Sequence, residues 1–591
     1  MPFDVNHFLS LLLFLPSPTT TTIAAMRSPF YLSSLLLLSI PAVVTAANCS
    51  ASYFQSIIPS NATVSFARPV VNGSTFEVPA GDIAYPTSPT HMNAACAVEI
   101  NVTSSAESAF SFGLFLPDAG TWNSRFLAVG NGGFAGGINW LDMASGLGYG
   151  FSVMSTDTGH NSTSGDVTWA LNNQERKKDF GYRAMHGSIV MAKQITEQFY
   201  GKQPEYSYYS GCSTGGRQGL KELQIHPETF DGVLAGAPAW WTSHLQTWTL
   251  KVALFNLPVG AEHHISPELF PAIAKEVLKQ CDVQDGVKDN IISDPQGCNF
   301  FPEALLCGRN VTNQTTSACL TPPQLKTLYQ LHGEYVETND TFIFPGLNLG
   351  SEAQWGFLLG ASEPSSYGTQ YVQDMVLDDA EWNYWDFNVS IVELADQRRP
   401  GNATADDFDL SPFHKRGGKL IHYHGDSDGL IPTGSSIYFY KQVLQTLKSK
   451  GIDLGSWYRF FLIPGMQHCA GTPTNMDAPW YIASGNQAGD LGPSPNAVHS
   501  VPGFSDGRHD ALLALMDWVE KGQAPDEIVA TKWKNDTAGA LEVERQRPLC
   551  PYPTQAKYKG QGSMDEAESW QCASLYNAAA RYAEPEIMMM G

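Results

Sequence analysis

One short segment constrains this chain more than any other, because it combines a strand, a sharp turn and a helix start around a single serine. Residues 206–209 predict a strand, and residues 211–215 read Gly-Cys-Ser-Thr-Gly, which matches G-x-S-x-G. In this context the glycines permit a tight turn that lifts the serine above the sheet edge, and the following helix N-terminus favours negative charge. We interpret Ser213 as a catalytic nucleophile. The alternative is a structural glycine turn with an uninvolved serine.

Length and charge exclude some classes of function. The chain has 591 residues, enough for one large catalytic domain with an insertion or for two or three domains. Its formal net charge is −23, whereas nucleic-acid-binding proteins carry a basic surface. Beyond the N-terminal region no apolar run is long enough to cross a membrane. We therefore expect neither a nucleic-acid partner nor a membrane partner, and the sequence carries no indication of oligomeric state.

The N-terminal region predicts export. Residues 26–46 begin with Met-Arg, continue with a short apolar stretch and end in small residues, which is typical of a signal peptide. We assign residues 1–47 to this signal and expect cleavage near Ala46 or Ala47, with Met26 as a candidate true start. A dense set of N-x-S/T sequons supports a secreted, extracellular glycoprotein. The sequons lie at Asn48, Asn61, Asn72, Asn101, Asn161, Asn310, Asn313, Asn339, Asn388, Asn402 and Asn535.

The cysteine content also suits an oxidising compartment. There are ten cysteines, an even number. Proximity along the chain suggests four local disulfides and leaves Cys212 and Cys469 as the remaining two. The suggested local pairs are Cys49–Cys96, Cys281–Cys298, Cys307–Cys319 and Cys550–Cys572.

An acid is expected after the nucleophile, in a loop that follows a strand. Residues 419–423 predict a short apolar strand, and the sequence after it reads His-Gly-Asp-Ser-Asp. We prefer Asp428 as the catalytic acid, because the turn begins at Gly425 and an acid three residues later can reach an imidazole. Asp426 is the alternative acid. A polar turn with solvated carboxylates is the interpretation without function.

The candidate general base is His468, in the loop after a further predicted strand at residues 457–463. If Cys212 pairs with Cys469, the Cα atoms of the two cysteines lie about 4.4–6.8 Å apart. Ser213 and His468 are the chain neighbours of these cysteines, so one disulfide would hold base and nucleophile within reach of each other. The alternative is a structural cross-link that happens to lie there.

A glycine-rich loop is the candidate oxyanion hole. Residues 127–137 follow a predicted strand and resemble the loop that donates one N–H to the oxyanion in α/β-hydrolases. The second N–H is expected from Thr214, directly after the nucleophile. Gly132 is the preferred loop donor and Gly133 the alternative. A flexible loop without a catalytic role remains the other interpretation.

A second candidate site lies mid-chain, where three aspartates surround a glycine. The carboxylates of Asp282, Asp285 and Asp289, with the backbone carbonyls of Val287 and Ile291, form an oxygen donor set that suits Ca²⁺. The loop lacks the bidentate glutamate of an EF-hand, and the alternative is a solvated acidic turn. We expect no organic cofactor.

Together these segments resemble the tannase/feruloyl esterase family of secreted fungal serine esterases, over most of the chain from Cys49 to Cys572. Flanking segments at residues 137–143, 155–163 and 236–242 are more similar to type B feruloyl esterases than to tannases. The segments that carry the family resemblance are residues 211–216, 424–428 and 464–469 and the aspartate loop that starts at Asp282.

The resemblance implies an α/β-hydrolase fold with a large lid domain inserted between strands and a structural calcium in that lid. We accordingly divide the chain into a first catalytic half (48–236), a lid (237–408) and a second catalytic half (409–591). The family pattern also assigns a function to each matching residue. It implies the triad Ser213, Asp428 and His468, the bridge Cys212–Cys469, and the calcium ligands Asp282, Asp285, Val287, Asp289 and Ile291.

The implied activity is that of a serine carboxylic-ester hydrolase acting through an acyl-enzyme on Ser213. It would release hydroxycinnamic acids (ferulic, p-coumaric or caffeic) from plant cell-wall polysaccharide such as xylan, or from small phenolic esters. The aromatic acyl group requires a flat apolar slot, for which Trp240 and Trp241 are candidates, core packing being the alternative. Alternative functions are a tannase acting on galloyl esters, a secreted serine peptidase, and a non-catalytic calcium-stabilised binding glycoprotein.

Overall fold

The fold is built around one large sheet of nine strands. These strands are β1 (Ala62–Val70), β2 (Ala95–Thr103), β3 (Ala109–Pro117), β4 (Arg125–Val129), β5 (Ser152–Thr156), β6 (Tyr206–Cys212), β7 (Gly232–Gly236), β10 (Lys419–Gly425) and β11 (Tyr458–Ile463). Their order across the sheet is β1-β2-β3-β5-β4-β6-β7-β10-β11. Strands β1, β2, β3 and β5 pair antiparallel, and all pairs from β5 to β11 are parallel.

The structure is a computed structural model that describes residues 49–308, 318–337, 340–487, 489–491, 500–536 and 542–575. The predicted signal peptide (1–47) and the sequons Asn48, Asn310, Asn313 and Asn339 lie outside these ranges. Across the ranges described, no helix combines the length and the apolar character that a membrane crossing requires.

The parallel half of the sheet is covered on both faces, and its sequence reflects this. Every residue of β5 and of β7 is buried, as expected for strands covered by helices on both sides. The helices of the catalytic region are α1 (Ala51–Ile57), α2 (Trp140–Gly148), α3 (Gln174–Lys178), α4 (Ala184–Tyr200), α5 (Thr214–Ile225), α13 (Gly434–Lys448) and α14 (Ala511–Lys521). Apolar residues of α4, α5 and α13 pack on one face of the sheet, and those of α2 and α14 on the other.

A long insertion separates the neighbouring strands β7 and β10. It contains α6 (Thr242–Asn256), α7 (Phe270–Cys281), α8 (Pro322–His332), α9 (Gly356–Leu359), α10 (Ser366–Gln370), α11 (Val389–Arg398), α12 (Ser411–Lys415), β8 (Tyr335–Val336) and β9 (Phe342–Phe344). The insertion has an apolar cluster of its own, which includes Trp248, Phe270 and Trp355. The predicted lid, residues 237–408, falls within this interval.

The C-terminal part adds two small antiparallel sheets. One pairs β12 (Ile528–Trp533) with β13 (Val543–Leu549), and the other pairs β14 (Gln555–Tyr558) with β15 (Trp570–Ala573). Asp510 caps the N-terminus of α14, and Gly522 ends this helix in the left-handed conformation.

All five predicted disulfides are present in the structure. The bridges are Cys49–Cys96, Cys212–Cys469, Cys281–Cys298, Cys307–Cys319 and Cys550–Cys572.

Candidate active site

Ser213 occupies the turn between β6 and α5, at the carboxyl edge of the parallel strands. Its backbone angles are φ 61° and ψ −124°, a conformation that residues with a side chain rarely adopt. The flanking glycines make this turn possible. A Cβ on Gly211 would lie 2.8 Å from the carbonyl carbon of Gly215, so no larger residue fits there. The predicted strand, turn and helix around Ser213 are confirmed.

His468 and Asp428, the candidate base and the candidate acid, are hydrogen-bonded to each other. The Nδ1 atom of His468 lies 2.7 Å from Oδ2 of Asp428. The other carboxylate oxygen, Oδ1, accepts the backbone N–H groups of Leu430 at 2.8 Å and Ile431 at 2.9 Å. Asp428 is fully buried, so these donors replace the water that an ionised carboxylate would otherwise bind.

The two candidate acids differ in their ionisation. Burial alone would raise the pKa of Asp428, but the charge and hydrogen bond of His468 and the hydrogen bond of His424 outweigh it and hold that pKa well below its usual range. Burial raises the pKa of Asp426 to about 8, so this carboxyl carries a proton at neutral pH. Asp426 therefore cannot supply the negative charge that a catalytic acid offers to an imidazolium, and the structure pairs His468 with Asp428.

The disulfide between Cys212 and Cys469 joins the nucleophile turn to the base loop. The Cα atoms of the two cysteines are 5.9 Å apart across a sequence separation of 257 residues, and both side chains are buried. Ser213 and His468, their chain neighbours, line the same cavity. Cys469 has a positive φ of 63°, and Ser213, the neighbour of Cys212, has a positive φ of 61°, so an uncommon backbone conformation lies at each end of the bridge.

The candidate oxyanion donors lie together at one cavity. Gly132, Gly133 and Thr214 all line the cavity beside Ser213, and the Thr214 hydroxyl donates to the Gly133 carbonyl at 2.7 Å. The Gly132 N–H, however, donates to the hydroxyl of Tyr85 at 2.8 Å. No described residue accepts a hydrogen bond from the Gly133 N–H. The geometry therefore favours Gly133, the alternative, as the loop donor.

The cavity above Ser213 has a volume of about 340 Å³ and lies between the catalytic region and the insertion. The insertion contributes an apolar wall that includes Leu245, Phe357 and Tyr367. The rings of Phe357 and Tyr367 are 5.6 Å apart. Polar groups at the cavity, including Asn486 and Asp490, come from the catalytic region. The cavity thus offers an aromatic surface and hydrogen-bonding groups to a ligand.

The assignment of Trp240 and Trp241 to this slot is wrong. Neither lines the cavity. Trp240 is buried against Phe439 with ring centroids 5.2 Å apart, and its indole N–H donates to the Ser435 carbonyl. Trp240 thus belongs to the core, and half-buried Trp241 stacks beside it with ring centroids 5.0 Å apart. The slot is built from residues farther along the insertion.

Two side chains of the site were not predicted. His424 donates to the Asp428 carboxylate, with Nε2 3.1 Å from Oδ2. Gln354, in the insertion, accepts the backbone N–H groups of Gly429 and His468, each at 3.0 Å. His424 starts the same His-Gly-Asp-Ser-Asp segment as the acid, which was an available signal. Gln354 lies far from both loops in sequence, and no motif marks it.

The aspartate loop has the donor chemistry of a calcium site. Asp282 and Asp285 are buried, and the Asp289 side chain is 3% exposed. Asp289 forms an ion pair with Arg547 at 2.5 Å. Arg545 lies 3.8 Å from the same carboxylate, and across the described ranges no cationic side chain forms an ion pair with Asp282 or Asp285. Hard carboxylate oxygens of this kind suit Ca²⁺.

The three aspartates do not converge as a preformed metal cluster. Their oxygens accept backbone N–H groups within the loop; Asp282, for example, accepts from Asp289 at 3.1 Å. Among the described residues, the one group of three His, Cys, Asp or Glu ligand atoms within 4.8 Å of each other is His186, Glu222 and His226. The two imidazoles of that group are stacked 3.5 Å apart, so their in-plane lone pairs run side by side and do not meet at one ion.

Comparison with known proteins identifies the family. The family model described as "Tannase and feruloyl esterase" matches residues 95–573. The chain belongs to this family. It shares 36% identity over 478 residues with "Probable feruloyl esterase B-1" of Aspergillus oryzae, covering 81% of this chain and 83% of that protein. "Probable feruloyl esterase B-2" of Aspergillus fumigatus is 33% identical, with coverage of 92% and 99%.

Solved structures of the tannase and feruloyl esterase family share the fold. The crystal structure of feruloyl esterase B from Aspergillus oryzae superposes with a TM-score of 0.81 and 34% identity, covering 89% of this chain and 99% of that one. The tannin acyl hydrolase from Aspergillus niger has a TM-score of 0.69 at 21% identity, covering 90% and 95%. The predicted α/β-hydrolase fold with an insertion is confirmed.

Proposed function

We propose that this protein is a serine carboxylic-ester hydrolase that releases hydroxycinnamic acids from esters. The observation that carries the proposal is the cavity in which Ser213, His468 and the oxyanion donors meet beneath an aromatic wall. Membership of the family supports it, as does similarity to proteins named feruloyl esterase B at more than 30% identity over most of the chain.

The first chemical step is acylation of Ser213. With Nδ1 of His468 hydrogen-bonded to Asp428, Nε2 is the nitrogen that accepts the Ser213 hydroxyl proton. The Oγ atom attacks the ester carbonyl carbon, and the C–O bond to the alcohol breaks as His468 returns the proton to the leaving oxygen. Water then repeats the sequence on the acyl-enzyme and releases the acid.

The negative charge of each tetrahedral intermediate forms on the former carbonyl oxygen. The backbone N–H groups of Thr214 and Gly133 stabilise it, and each such donor contributes roughly 3–4 kcal/mol in comparable sites. Thr214 is the first residue of α5, so its N–H has no acceptor within the helix and the helix dipole adds to the stabilisation.

The aromatic wall supports an aromatic acyl group. Phe357 and Tyr367 present ring surfaces on which a cinnamoyl ring can pack, and Asn486 and Asp490, in the lining of the same cavity, offer polar groups to ring hydroxyls. A galloyl ester has a similar ring without the propenyl spacer, so a tannase is the nearest alternative. The alternatives of a peptidase and of a binding glycoprotein have no observation in their favour.

The test compares acyl groups directly. Purified protein is assayed with methyl ferulate, methyl caffeate, methyl p-coumarate, methyl gallate and a peptide substrate. Hydrolysis of the cinnamates with kcat/KM well above that for gallate supports the proposal. Preference for gallate would make the protein a tannase, and cleavage of the peptide alone would make it a peptidase.

Secretion as a glycoprotein is part of the proposal. Five disulfides are characteristic of an oxidising compartment. The described sequon asparagines other than Asn101 are exposed, as glycosylation requires. Plant cell-wall polysaccharide such as xylan is the proposed extracellular source of esters. N-terminal sequencing of the secreted protein should begin near Ala47 or Asn48 if residues 1–47 are the signal.

Calcium is the proposed structural ion of the insertion. Asp282, Asp285 and Asp289 would hold it with the carbonyls of Val287 and Ile291, and its role would be to neutralise the buried carboxylates. A ligand that binds the folded state alone at about 100 times its Kd adds about 2.7 kcal/mol of stability. Addition of Ca²⁺ to chelator-treated protein should raise Tm. An unchanged Tm over a millimolar titration would contradict the site.

A further inference from the structure

A chain of buried polar side chains lies behind the catalytic acid. It runs from His424 through Ser436 and His422 to Tyr458, and each of these residues is at most 1% exposed. His422 and His424 are alternate residues of β10, so both point to the same face of the sheet. Helix α13 supplies Ser436 and strand β11 supplies Tyr458 at that face.

The Ile431 carbonyl sets the direction of the hydrogen bonds among these four side chains when the His424 imidazole is neutral. The Ile431 carbonyl, 2.9 Å from Nε2 of His424, can only accept, so that nitrogen carries the proton. The same N–H reaches Oδ2 of Asp428 at 3.1 Å. Nδ1 of His424 is then an acceptor, and the Ser436 hydroxyl donates a hydrogen bond to it, with Oγ 2.7 Å from Nδ1.

The hydrogen bonds at the Tyr458 end of this chain of side chains run in the same direction, toward His424. Because the Ser436 hydroxyl donates to His424, its Oγ accepts a hydrogen bond from Nε2 of His422 at 2.9 Å. Nδ1 of His422 in turn accepts a hydrogen bond from the Tyr458 hydroxyl at 2.8 Å. Burial raises the pKa of Tyr458 well above its usual range. Burial, and then the nearby His424, lowers the pKa of His422 well below its usual range. The phenol therefore keeps its proton and the inner imidazole stays neutral.

We propose that His424 is a positioning residue of the catalytic triad, which holds Oδ2 of Asp428 through its Nε2–H. The inference rests on the proposed serine-hydrolase function. Oδ2 is also the oxygen that accepts from His468, 2.7 Å away. Together with the two backbone N–H groups on Oδ1, His424 completes the set of donors around this carboxylate, which fixes its orientation toward the base.

The second donor also changes the strength of the acid–base pair. An oxygen that already accepts one N–H is a weaker acceptor for another, so His424 reduces the stabilisation that Asp428 gives to protonated His468. With His424 in place we therefore expect the enzyme to stay active farther into the acid range. The titratable groups that face this pair are His424, His422 behind it, and Tyr458 with its neighbour Tyr440 at the end of the chain.

Two substitutions of His424 form a matched pair of variants for a test. In His424→Gln the amide nitrogen occupies the position of Nε2 and can still donate to Asp428. In His424→Asn the amide ends at the position of Nδ1 and leaves Oδ2 without that donor. Both variants replace an imidazole by an amide at the same buried position, so they share the general effect on packing and differ in the contact under test.

The measurement is the pH dependence of kcat/KM for p-nitrophenyl acetate, together with the rate constant for inactivation by a p-nitrophenyl phosphonate. In the second reaction Ser213 Oγ bonds to phosphorus and p-nitrophenolate leaves. That rate constant is a property of each folded active site, so partial misfolding of a variant does not alter it. Use of a generic ester separates this test from the substrate: a protein that hydrolyses p-nitrophenyl acetate but no hydroxycinnamate would contradict the proposed substrate alone.

For His424→Asn we expect the acid limb of both profiles to move to higher pH by about half a unit to one unit. We also expect the plateau rate to fall about tenfold through loss of orientation. His424→Gln should restore most of both. If folded His424→Asn keeps the wild-type acid limb, or if the Gln variant shifts as far as the Asn variant, His424 has only a structural role and the proposal is overturned.

Discussion

The side-chain carbonyl of Gln354 accepts the backbone N–H of His468 at 3.0 Å. The same oxygen accepts the N–H of Gly429, the residue after the catalytic acid. One side chain of the insertion therefore links the loop of Asp428 to the loop of His468. The insertion thus has a part in the geometry of the triad as well as in forming the substrate cavity.

Removal of this acceptor should slow the chemical step more than it weakens substrate binding. Two hydrogen bonds of ordinary strength correspond together to about tenfold in rate, so we expect Gln354→Ala to lower kcat by about that factor with little change in KM. Gln354→Glu, which keeps an acceptor oxygen at the same reach, is the matched control and should retain most of kcat. Steady-state kinetics on methyl ferulate give both numbers. A wild-type kcat in the alanine variant would show that the contact is dispensable.

Substitution of Asp428 should lower activity far more than substitution of Asp426 in the same loop. Loss of charge at the triad acid costs about 10⁴-fold in kcat in the serine proteases, and we expect a loss of similar size for Asp428→Asn. Asp426 is protonated at neutral pH and does not contact the base, so Asp426→Asn should remain within about threefold of wild type, as for a neutral isostere. Comparable losses in the two variants would contradict the assignment of Asp428.

Ionisation of Asp426 should also contribute to the pH dependence of the stability of the folded protein. Its pKa is about 8 in the folded protein, against about 3.9 in an unfolded chain. Between these values the folded state binds a proton that the unfolded state releases, so the contribution of Asp426 to stability is full below the lower value and is lost as pH rises to the upper one.

Asparagine cannot ionise, so the Asp426→Asn variant escapes this loss. We expect the Tm of the variant minus that of wild type to become more positive from pH 5 to pH 8. Thermal unfolding of both proteins at several pH values gives the difference, in which the titration of all other groups cancels. A difference that is flat with pH, or that falls, would show that the Asp426 carboxyl is ionised in the folded protein.

The disulfide beside the triad should matter for both stability and rate. A bridge that closes a loop of this length stabilises the folded state by roughly 3–5 kcal/mol. In Cys212→Ala/Cys469→Ala we expect a lower Tm and, measured well below that Tm, a kcat reduced by about tenfold or more because base and nucleophile are less well aligned. The matched control is Cys550→Ala/Cys572→Ala, which removes a bridge outside the cavity and should lower Tm without lowering kcat.

The aromatic wall should affect recognition of the acyl group. Phe357→Ala removes one ring from the cavity, and we expect KM for methyl ferulate to rise about tenfold, since an aromatic contact is worth about 0.5–1.5 kcal/mol beyond its buried area. KM for methyl acetate, which has no ring, should change little. Trp240→Phe is the control in the core and should lower Tm without a selective effect on ferulate.

The residues of the candidate site could be brought together from the sequence because their signals are local. The strand, turn and helix around Ser213 and the strand before Asp428 each appear within a dozen residues, and the parallel sheet brings their ends to one edge. The cysteines next to Ser213 and His468 supply the one long-range clue in the sequence, since a bridge between them requires the two side chains to be close. Contacts that depend on the packing of the insertion have no such clue.

Gln354 shows the limit most clearly, because its two partners are backbone N–H groups that leave no trace in sequence. The prediction of Trp240 and Trp241 for the acyl slot failed for a related reason. Trp240 lies a few residues after strand β7 and packs in the core of the sheet. Phe357 instead reaches the cavity through the packing of the insertion. The choice between Gly132 and Gly133 turned on a hydrogen bond to Tyr85, which is distant in the chain.

The most direct test of the central claim is hydrolysis of methyl ferulate by the wild-type protein and by Ser213→Ala at equal folded concentration. We expect clear turnover by wild type and a loss of about a thousandfold or more in the variant, as for removal of the nucleophile in other serine hydrolases. Wild-type protein that leaves methyl ferulate intact, or a folded variant that retains its activity, would contradict a hydroxycinnamoyl esterase that acts through Ser213.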